Sequence, residues 1–487
     1  MGNSEITSAT EIKKNMHTFC ISLPFIGSTD LSMPLTIIFL VCLLAVVGFE
    51  FVNGFHDTAN AVATVIYTKA LKPVIAIPWS GFWNFMGVFT GGIAVAMGIL
   101  KLVPLDALMN LPIGVGACMV LAVLLASIAW NLGTWYLGIP CSSSHTMIGA
   151  MIGAGLAFTW YYGGKGVNWG KAEEIGLSLI LSPIIGFGLA VLLMYFLKHV
   201  IKYHALFHIP HGENDRPPLL IRGLLITTCT LVSFFHGSND GQKGVGLLML
   251  ILIAFLPARF AVDHSIPDSK ILFQLNQTEQ LINRIAAAAK GKRPDLPVLI
   301  GKIEQAKIHL AKKNETDKKG TYKFRKQIEE VTASIGIVEK DYTLFLSKDD
   351  ARLLSKNRQE LTRLFEFAPL WVILLISISL GLGTMIGWKR IVVTIGEKIG
   401  NEHLNYAQGA TSEIVAASTI GLSTAFGLPV STTHVLSSGI AGAMVASGGR
   451  GNLNNNTLKN IGLAWVLTLP VSIILAIALF MLFHLFV

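Results

Sequence analysis

Two short polar motifs each occur twice, in the same order, in an otherwise apolar chain of 487 residues. The first reads Asn-Gly-Phe-His-Asp-Thr-Ala-Asn at 53–60 and His-Gly-Ser-Asn-Asp-Gly-Gln-Lys at 236–243. The second reads Gly-Ile-Pro-Cys-Ser-Ser-Ser-His at 138–145 and Gly-Leu-Pro-Val-Ser-Thr-Thr-His at 427–434. Polar breaks of this kind, repeated within apolar sequence, indicate an internal duplication.

The separation of the motifs supports the duplication. Asp57 and His145 are 88 positions apart, whereas Asp240 and His434 are 194 positions apart. A charged tract of 107 residues, 259–365, lies in the second interval, and removing it leaves 194 − 107 = 87. This pattern predicts a secondary transporter whose site lies between two repeats.

The composition indicates a membrane protein: 52% of residues are hydrophobic, 14% are charged, and the mean hydropathy is +0.59. Long stretches are apolar all round, so their outer faces must meet lipid; they are 35–49, 113–130, 175–196, 369–385 and 461–487. At about 20 residues per span of ~30 Å, we expect roughly ten to twelve membrane segments. The fold class predicted is all-α and polytopic, with two inverted-topology repeats and broken or re-entrant helices.

The chain divides into six parts on this interpretation. They are an N-terminal leader (1–33), a first membrane repeat (34–200), a basic loop (201–221), the start of a second membrane repeat (222–258), a hydrophilic, mostly helical insert (259–365) and the remainder of the second repeat (366–487). The insert is predicted to be cytoplasmic, either as a regulatory element or as a tolerated spacer.

The formal charge of +9 is distributed as in a membrane protein rather than as in a nucleic-acid-binding protein. Basic residues collect between the apolar segments, which usually marks cytoplasmic loops. If the basic loop and the insert both face the cytoplasm, the segment 222–258 enters and returns or crosses twice. The five cysteines show no metal-ligand spacing and no disulfide framework, and no cofactor is expected.

Charged residues within the apolar segments are candidates for the site. An ionised side chain at the centre of a membrane helix costs about 2.5–3.5 kcal/mol even on permissive scales. Asp57 and Asp240 recur at the same point of both repeats, with Glu50 and Lys243 close by and Glu413 ahead of the second hydroxyl motif. Such residues survive if they face a wet cavity, pair with one another or hold an ion; the alternative is a position at the membrane border.

The hydroxyl-rich motifs predict two helix starts. Proline disfavours helix in the residue before it and fits the first turn after it, so the hydroxyls that follow lie where free N–H groups favour an oxyanion. Two starts converging from opposite repeats would surround a tetrahedral anion with six hydroxyls, those of Ser142, Ser143, Ser144, Ser431, Thr432 and Thr433. The alternative is that each motif is a simple helix cap.

Carboxylates beside an anion site favour phosphate over sulfate, because an aspartate can accept a hydrogen bond from protonated phosphate or bind an accompanying cation. A nucleophilic serine beside His145 is the enzyme alternative. No nucleophile elbow or third group accompanies it, so no catalytic residue is predicted.

At these residues the chain resembles the inorganic phosphate transporter (PiT) family, and 51–71 resembles the bacterial low-affinity Pit type. The resemblance covers both repeats, about 34–260 and 367–487, and rests on the duplicated Gly-x-Asn-Asp-like and Pro-x-Ser-(Ser/Thr)-(Ser/Thr)-His elements. It implies uptake of inorganic phosphate, with arsenate as an analogue, by alternating access in the bacterial cytoplasmic membrane. By position it implies that Asp57, Asn60, Asn239, Asp240 and the two hydroxyl triplets form the phosphate and cation shell.

Two departures from the family pattern bear on the coupling ion. His56 stands where Asn is usual, and Lys243 stands at the position matching Asn60. Histidine titrates near physiological pH, and an ammonium group can stand where a relative would bind sodium. We therefore expect proton coupling through His56 and Asp57, with Lys243, Glu50 and Glu413 as further coupling residues. Sodium coupling, a neutral divalent metal–phosphate complex (Mg²⁺ or another metal), a sulfate permease, an anion channel and a homo-oligomer remain open.

Overall fold

The computed structural model describes residues 21–29, 31–103, 105–109, 111–164, 166–210, 215–288, 294–312, 318–341 and 347–486. Over these residues the regular elements are helices, apart from one short antiparallel hairpin in which β1 (Ile21–Leu23) pairs with β2 (Gly27–Thr29) and an isolated bridge between Gly400 and Leu453. Most of the expected leader, 1–33, lies outside the described residues. The contacts divide the chain into two compact units, Met1–Ile251 with Pro369–Val487, and Leu252–Ala368.

The helices are numbered here in chain order. Before the charged tract lie α1 (Met33–Asp57), α2 (Ala59–Tyr67), α3 (Pro73–Thr90), α4 (Ala94–Leu100), α5 (Leu105–Met109), α6 (Ile113–Tyr136), α7 (Ser143–Tyr162), α8 (Trp169–Val200), α9 (Leu219–His236) and α10 (Gln242–Phe255). In the tract lie α11 (Pro257–Phe260), α12 (Asp268–Ala288), α13 (Asp295–Ala311), α14 (Lys318–Asp341) and α15 (Lys348–Thr362). After it lie α16 (Leu370–Thr384), α17 (Lys389–Val393), α18 (Tyr406–Ala425), α19 (Thr432–Gly448) and α20 (Asn455–His484). Short 3₁₀ turns cover His204–Phe207 and Arg450–Asn452, and π turns cover Gly237–Gly241 and Thr394–Lys398.

Among the described residues, five helical runs are long and apolar enough to span a membrane, or seven if each of two bent pairs is one span. The runs are Met33–Tyr67, Ile113–Tyr136, Trp169–Val200, Leu219–Phe255 and Asn455–His484; the pairs, bent by 70° and 57°, are Pro73–Thr90 with Ala94–Leu100 and Leu370–Thr384 with Lys389–Lys398. The expected ten to twelve segments exceed this number. Much of the difference lies in α7, α18 and α19, whose Ser, Thr, Gly and His content lowers their hydropathy.

The segment for which the charge pattern suggested a return or two crossings is helical throughout. Leu219–Phe255 is one helical run of 37 residues with a π turn in its middle. A π turn adds a residue to one turn without ending the helix, so by length and composition this run counts as one candidate span.

Apolar side chains on the outside of α8 identify the solvent of the first unit. Ile180 and Ile184 are each 62% exposed and Leu192 is 66% exposed. A continuous apolar face of this kind on a helix of 32 residues would be unfavourable in water and fits a hydrocarbon environment.

Helices of the first repeat pack against helices of the second repeat. Helix α1 packs against α16, and α9, the counterpart of α1 in the second repeat, packs against α3. Likewise α7 packs against α20, and α19, the counterpart of α7, packs against α8. Each repeat therefore supplies packing partners to the other, which places the motif-bearing ends of α1, α7, α9 and α19 in one shared interior.

The second unit is a helical domain with its own core. The buried side chains of α14 recur at alternating spacings of four and three residues: Phe324, Ile328, Val331, Ile335 and Val338. This spacing forms one apolar stripe on a helix. Arg325, next to that stripe, donates from Nη1 to Ala261 O at 2.9 Å and Phe365 O at 3.0 Å, which ties the two ends of the unit together.

Candidate substrate site

The two aspartates lie at interruptions of membrane helices. Helix α1 ends at Asp57, and Thr58 links it to α2; the Thr58 Oγ1 lies 2.6 Å from Gly54 O and 2.8 Å from Thr384 O. In the second repeat the π turn Gly237–Gly241 contains Asp240. A helix interruption in lipid must satisfy its backbone groups; at Thr58 the backbone N–H still donates to Gly54 O at 3.1 Å, and the hydroxyl reaches Thr384 O in α16.

The glycine three residues before each aspartate permits close contact with the opposite repeat. A Cβ atom on Gly54 would lie 2.4 Å from Leu380 O in α16, and one on Gly237 would lie 2.1 Å from Asn84 O in α3. Any larger residue would force the backbones apart, so both motifs require glycine at this position for packing.

The hydroxyl motifs form the two predicted helix starts. The glycine that opens each motif adopts a left-handed conformation, with φ of 67° at Gly138 and 68° at Gly427, which is accessible to glycine without steric cost. Ser142 and Ser431 are the N-caps of α7 and α19, each accepting a backbone hydrogen bond from the histidine three residues on at 3.2 Å. The hydroxyls of Ser142 and Ser431 thus cap their own helices, which for these two residues is the alternative to anion binding.

The second hydroxyl of the first repeat and the third of the second repeat converge on one carboxylate. Ser143 Oγ donates to Asp57 Oδ2 at 2.8 Å, and Thr433 Oγ1 donates to Asp57 Oδ1 at 3.0 Å. Ser143 Oγ also lies 3.5 Å from Asp240 Oδ2. The aspartates and both helix starts, separated by up to 376 positions in the sequence, therefore form one cluster whose members are at most 2% exposed.

The residues three positions after the aspartates make equivalent contacts across the repeats. Asn60 Nδ2 donates to Thr433 Oγ1 at 2.8 Å. Lys243 Nζ lies 2.7 Å from Asp240 Oδ1 and hydrogen bonds to Ser144 Oγ, the hydroxyl equivalent to that of Thr433. Lys243 is fully buried, so a fixed positive charge stands in the second repeat where the first has a neutral amide.

His56 and Asn239, the residues before the aspartates, hold the hydroxyl loops of their own repeats. His56 Nδ1 lies 2.9 Å from Asp57 Oδ1, and its Nε2 lies 3.4 Å from Cys141 Sγ. Asn239 Nδ2 donates to Leu428 O at 3.1 Å, and its Oδ1 accepts from Val430 N at 3.2 Å. Both residues link an aspartate-bearing helix to the loop before a helix start.

The remaining predicted residues lie in different surroundings. Ser144 Oγ donates to Val430 O at 2.8 Å, and Thr432 is buried at the start of α19. Glu50 is buried against Gly244, one residue beyond Lys243, so it borders the cluster. Glu413 is buried apart from it, with one carboxylate oxygen on the hydroxyl of Thr64 and the other on that of Thr228.

His236 belongs to the cluster, although it was not among the predicted site residues. Its Nε2 lies 3.8 Å from Asp57 Oδ2 and 3.7 Å from Asp240 Oδ2, while its Nδ1 is 2.7 Å from Asn84 Oδ1. These distances leave Nε2 without a hydrogen-bond partner, and one ligand atom from each of Asp57, His236 and Asp240 lies within 4.8 Å of the others. The i, i+4 spacing from His236 to Asp240 is the signal that could have identified it.

The serine–histidine contact considered as a catalytic pair is present, but it is part of the N-cap of α7. His145 Nδ1 lies 2.8 Å from Ser142 Oγ, the same oxygen that accepts from the backbone of His145. The ring of His145 packs on that of His434 at 4.5 Å between centroids, and His434 stacks on Trp465 at 3.9 Å. This cluster joins the two helix starts to α20.

Comparison with known proteins gives consistent matches over nearly the whole chain. The phosphate transporter family matches residues 53–476. The low-affinity inorganic phosphate transporter PitA of Escherichia coli (strain K12) is 39% identical over 481 residues, covering 90% of this chain and 95% of that protein. A probable low-affinity inorganic phosphate transporter of Bacillus subtilis (strain 168) is 31% identical over 454 residues, covering 93% and 98%. A solved structure described as the sodium-dependent phosphate transporter matches with a TM-score of 0.54 and 22% identity, covering 93% of this chain and all of that chain, which is a likeness of fold.

Proposed function

This chain belongs to the phosphate transporter family, and from that premise we propose that it takes up inorganic phosphate by proton-coupled symport. It is a multi-pass membrane transporter and not an enzyme. The proposal includes inverted repeats that rock about a shared site, in a bacterial cytoplasmic membrane, as expected for carriers of this architecture.

One observation carries the proposal: hydroxyls at helix starts from both repeats meet on the buried Asp57 carboxylate. The positive ends of two helices and two hydroxyl donors form an environment suited to an anion. In this structure Asp57 itself supplies that negative charge. A phosphate ion can take its place at the hydroxyls only when the charge on Asp57 is compensated by a cation.

A proton is the cation that the surrounding groups favour. His56 Nδ1 already contacts Asp57, so a proton taken up by this pair neutralises the carboxylate and releases Ser143 and Thr433 for phosphate. Near Asp240 the charge is already balanced by Lys243. At Asp240 Oδ1 a sodium ion would have to displace this buried ammonium group, whereas Asp240 Oδ2 faces His236.

Sodium coupling is the second candidate, because the solved structure of similar fold is described as sodium-dependent. A related oxyanion permease and an anion channel are further alternatives. The buried cluster at which both repeats meet favours a carrier with one central site over a channel, since a channel requires several weak sites for rapid exit.

Radiolabelled phosphate uptake into proteoliposomes of the purified protein tests the function. We expect saturable accumulation driven by an inward proton gradient, inhibited by arsenate and unaffected by sulfate or by replacement of sodium with choline. The matched control is protein-free liposomes under the same gradients. Uptake that needs sodium and ignores the proton gradient would exclude proton coupling, and flux that only equilibrates phosphate would indicate a channel.

A divalent metal carried with phosphate would find ligands at Asp57, His236 and Asp240. Two carboxylates and one imidazole suit ions such as Mn²⁺ or Zn²⁺. Asn84 Nδ2 donates to Thr384 Oγ1 at 3.2 Å, which turns Asn84 Oδ1 toward His236 Nδ1. His236 Nε2 then faces the two carboxylates at 3.8 and 3.7 Å, distances that leave room for a cation between the three groups.

Replacing His236 with Asn should raise the metal concentration needed for half-maximal phosphate-dependent Mn²⁺ uptake at least about tenfold, as expected for losing one metal ligand. The measurement is quenching of a metal-sensitive dye inside proteoliposomes, with and without phosphate. The control is His403→Asn, at an exposed histidine outside the cluster. If His236→Asn lowered phosphate uptake by the same factor in the presence and in the absence of Mn²⁺, His236 would have only a structural role.

A further inference from the structure

A cavity of about 590 Å³ lies beside the central cluster, where α6 ends and where α16 gives way to α17. Its lining includes the aromatic residues Trp135 and Tyr136, the loop residue Gly138, and the basic residues Lys389, Arg390 and Lys398. Three of these residues are basic, and none is acidic. We propose that this cavity is a second anion site, which binds a phosphate group outside the transport site; it does not depend on the proposed coupling mechanism.

Arg390 is held in position to present its guanidinium group. Its Cζ lies 5.1 Å from the centre of the Trp135 ring and 4.8 Å from that of the Tyr136 ring, and its Nη1 donates to Tyr136 O at 2.5 Å. Cation–π contacts and one backbone bond fix the planar group and leave further N–H donors for a phosphate, which guanidinium groups bind in bidentate fashion.

Two exposed lysines complete the positive lining. Lys389 precedes Arg390, and Lys398 lies two turns further along the same helical segment. The walls are otherwise fixed: Trp135 Nε1 donates to Gly387 O at 2.7 Å, and Thr394 Oγ1 donates to Gly138 O at 2.8 Å. The three basic side chains thus surround a space in whose wall the carbonyl groups of Gly387 and Gly138 already accept hydrogen bonds.

The other repeat shows that the fold does not require these charges. An ideal Cβ on Gly138 would lie 3.4 Å from Arg390 O, and one on the equivalent Gly427 would lie 3.2 Å from Ala94 O. The position equivalent to Arg390 is therefore Ala94. Counting from that pair, Ile93 matches Lys389 and Leu102 matches Lys398. Because apolar residues serve at the same places in the same architecture, the basic residues are not explained by packing.

The rim of the cavity indicates a lipid as the main source of the phosphate group. Tyr136 and Leu137, at the end of a membrane-spanning helix, are 66% and 68% exposed, and Ile386 opposite them is 54% exposed. Tryptophan and tyrosine with basic residues at the end of a span are typical of the membrane–water interface, where anionic headgroups attract lysine and arginine. Acyl chains can cover the rim while the headgroup enters the cavity.

The site also has a route to affect transport. Trp135 contacts Phe55 edge to face, with 5.0 Å between ring centroids, and Phe55 directly precedes His56. Gly138, in the cavity wall, begins the loop that leads to the Ser142 cap. Two side chains, those of Trp135 and Phe55, thus connect Arg390 to His56.

Thermal unfolding of the delipidated protein in neutral detergent, with phosphatidylglycerol or with inorganic phosphate added, tests the proposal. We expect phosphatidylglycerol to raise the unfolding temperature and phosphatidylcholine not to do so. The double variant Lys389→Gln/Lys398→Gln should lose at least half of this shift, and Arg390→Gln more. The matched control, Arg450→Gln/Lys459→Gln, removes two exposed charges elsewhere and should keep the full shift.

Each outcome decides between the sources or against the site. A shift with phosphatidylglycerol that depends on the cavity residues identifies a lipid site. A cavity-dependent shift with inorganic phosphate that survives Asp57→Asn identifies a site for free phosphate. Shifts equal in the cavity and control variants would overturn the proposal, and this result is independent of whether the central site transports phosphate.

Discussion

Replacing Asp57 with Asn is expected to lower the rate of phosphate uptake at least about 100-fold. The carboxylate accepts hydrogen bonds from Ser143 and Thr433 and contacts His56, and hydrogen bonds to a charged group contribute about 1.5–3 kcal/mol each. An amide has the same shape but can accept at only one of its two polar atoms. One of the two hydroxyls then has no acceptor and the other has only a neutral one, and since ~1.4 kcal/mol is tenfold, these two changes together correspond to about two factors of ten.

The same substitution should leave the amount of protein in the membrane unchanged. Removing a charge lowers the cost of placing the helix in lipid, and Asn is isosteric with Asp. Asp240→Asn should also abolish uptake, but it leaves Lys243 without its carboxylate partner, so we expect a lower thermal stability for it than for Asp57→Asn.

Uptake of labelled phosphate, normalised to the amount of folded transporter from fluorescence-detected gel filtration, measures the effect. Asp106→Asn, at an exposed aspartate in α5, is the matched control and should keep normal uptake. Uptake by Asp57→Asn within a factor of three of the wild type would remove Asp57 from the transport mechanism.

Much of this cluster could be predicted because duplicated motifs carry three-dimensional information. Proline after a left-handed glycine dictates a turn followed by a helix start, and α7 and α19 begin at Ser143 and Thr432 accordingly. Matching spacings in both repeats implied that the aspartate motif of each repeat meets the hydroxyl motif of the other. The pairs Asn60–Thr433 and Lys243–Ser144 do so.

What could not be predicted depends on contacts between distant helices. The sequence does not reveal that two of the six hydroxyls cap their own helices, nor that Glu413 receives the hydroxyls of Thr64 and Thr228. His236 was missed because the first repeat has Asn53 at its position, so the duplication gave no signal. The sequence also does not show that a π turn leaves Leu219–Phe255 one continuous helical run.

Replacing Lys243 with Met should destabilise the protein strongly and abolish uptake. Lys243 and Asp240 are both fully buried and lie 2.7 Å apart, and removing one partner of a buried ion pair typically costs about 3–5 kcal/mol because the other charge stays uncompensated. Thermal unfolding in detergent, followed by tryptophan fluorescence, measures the loss. The exposed Lys459→Met is the matched control and should unfold like the wild type.

The double variant Lys243→Met/Asp240→Asn separates stability from transport. Because it removes both charges, it should recover at least half of the stability lost in Lys243→Met, so the two substitutions are strongly non-additive, as expected for directly paired residues. Uptake should stay absent in the double variant, since Asp240 lies in the central cluster, 3.5 Å from Ser143 Oγ, and its replacement alone is expected to abolish uptake. Additive losses of stability would show that the pair is not coupled. Recovered uptake would show that the buried charges of the second repeat serve folding alone.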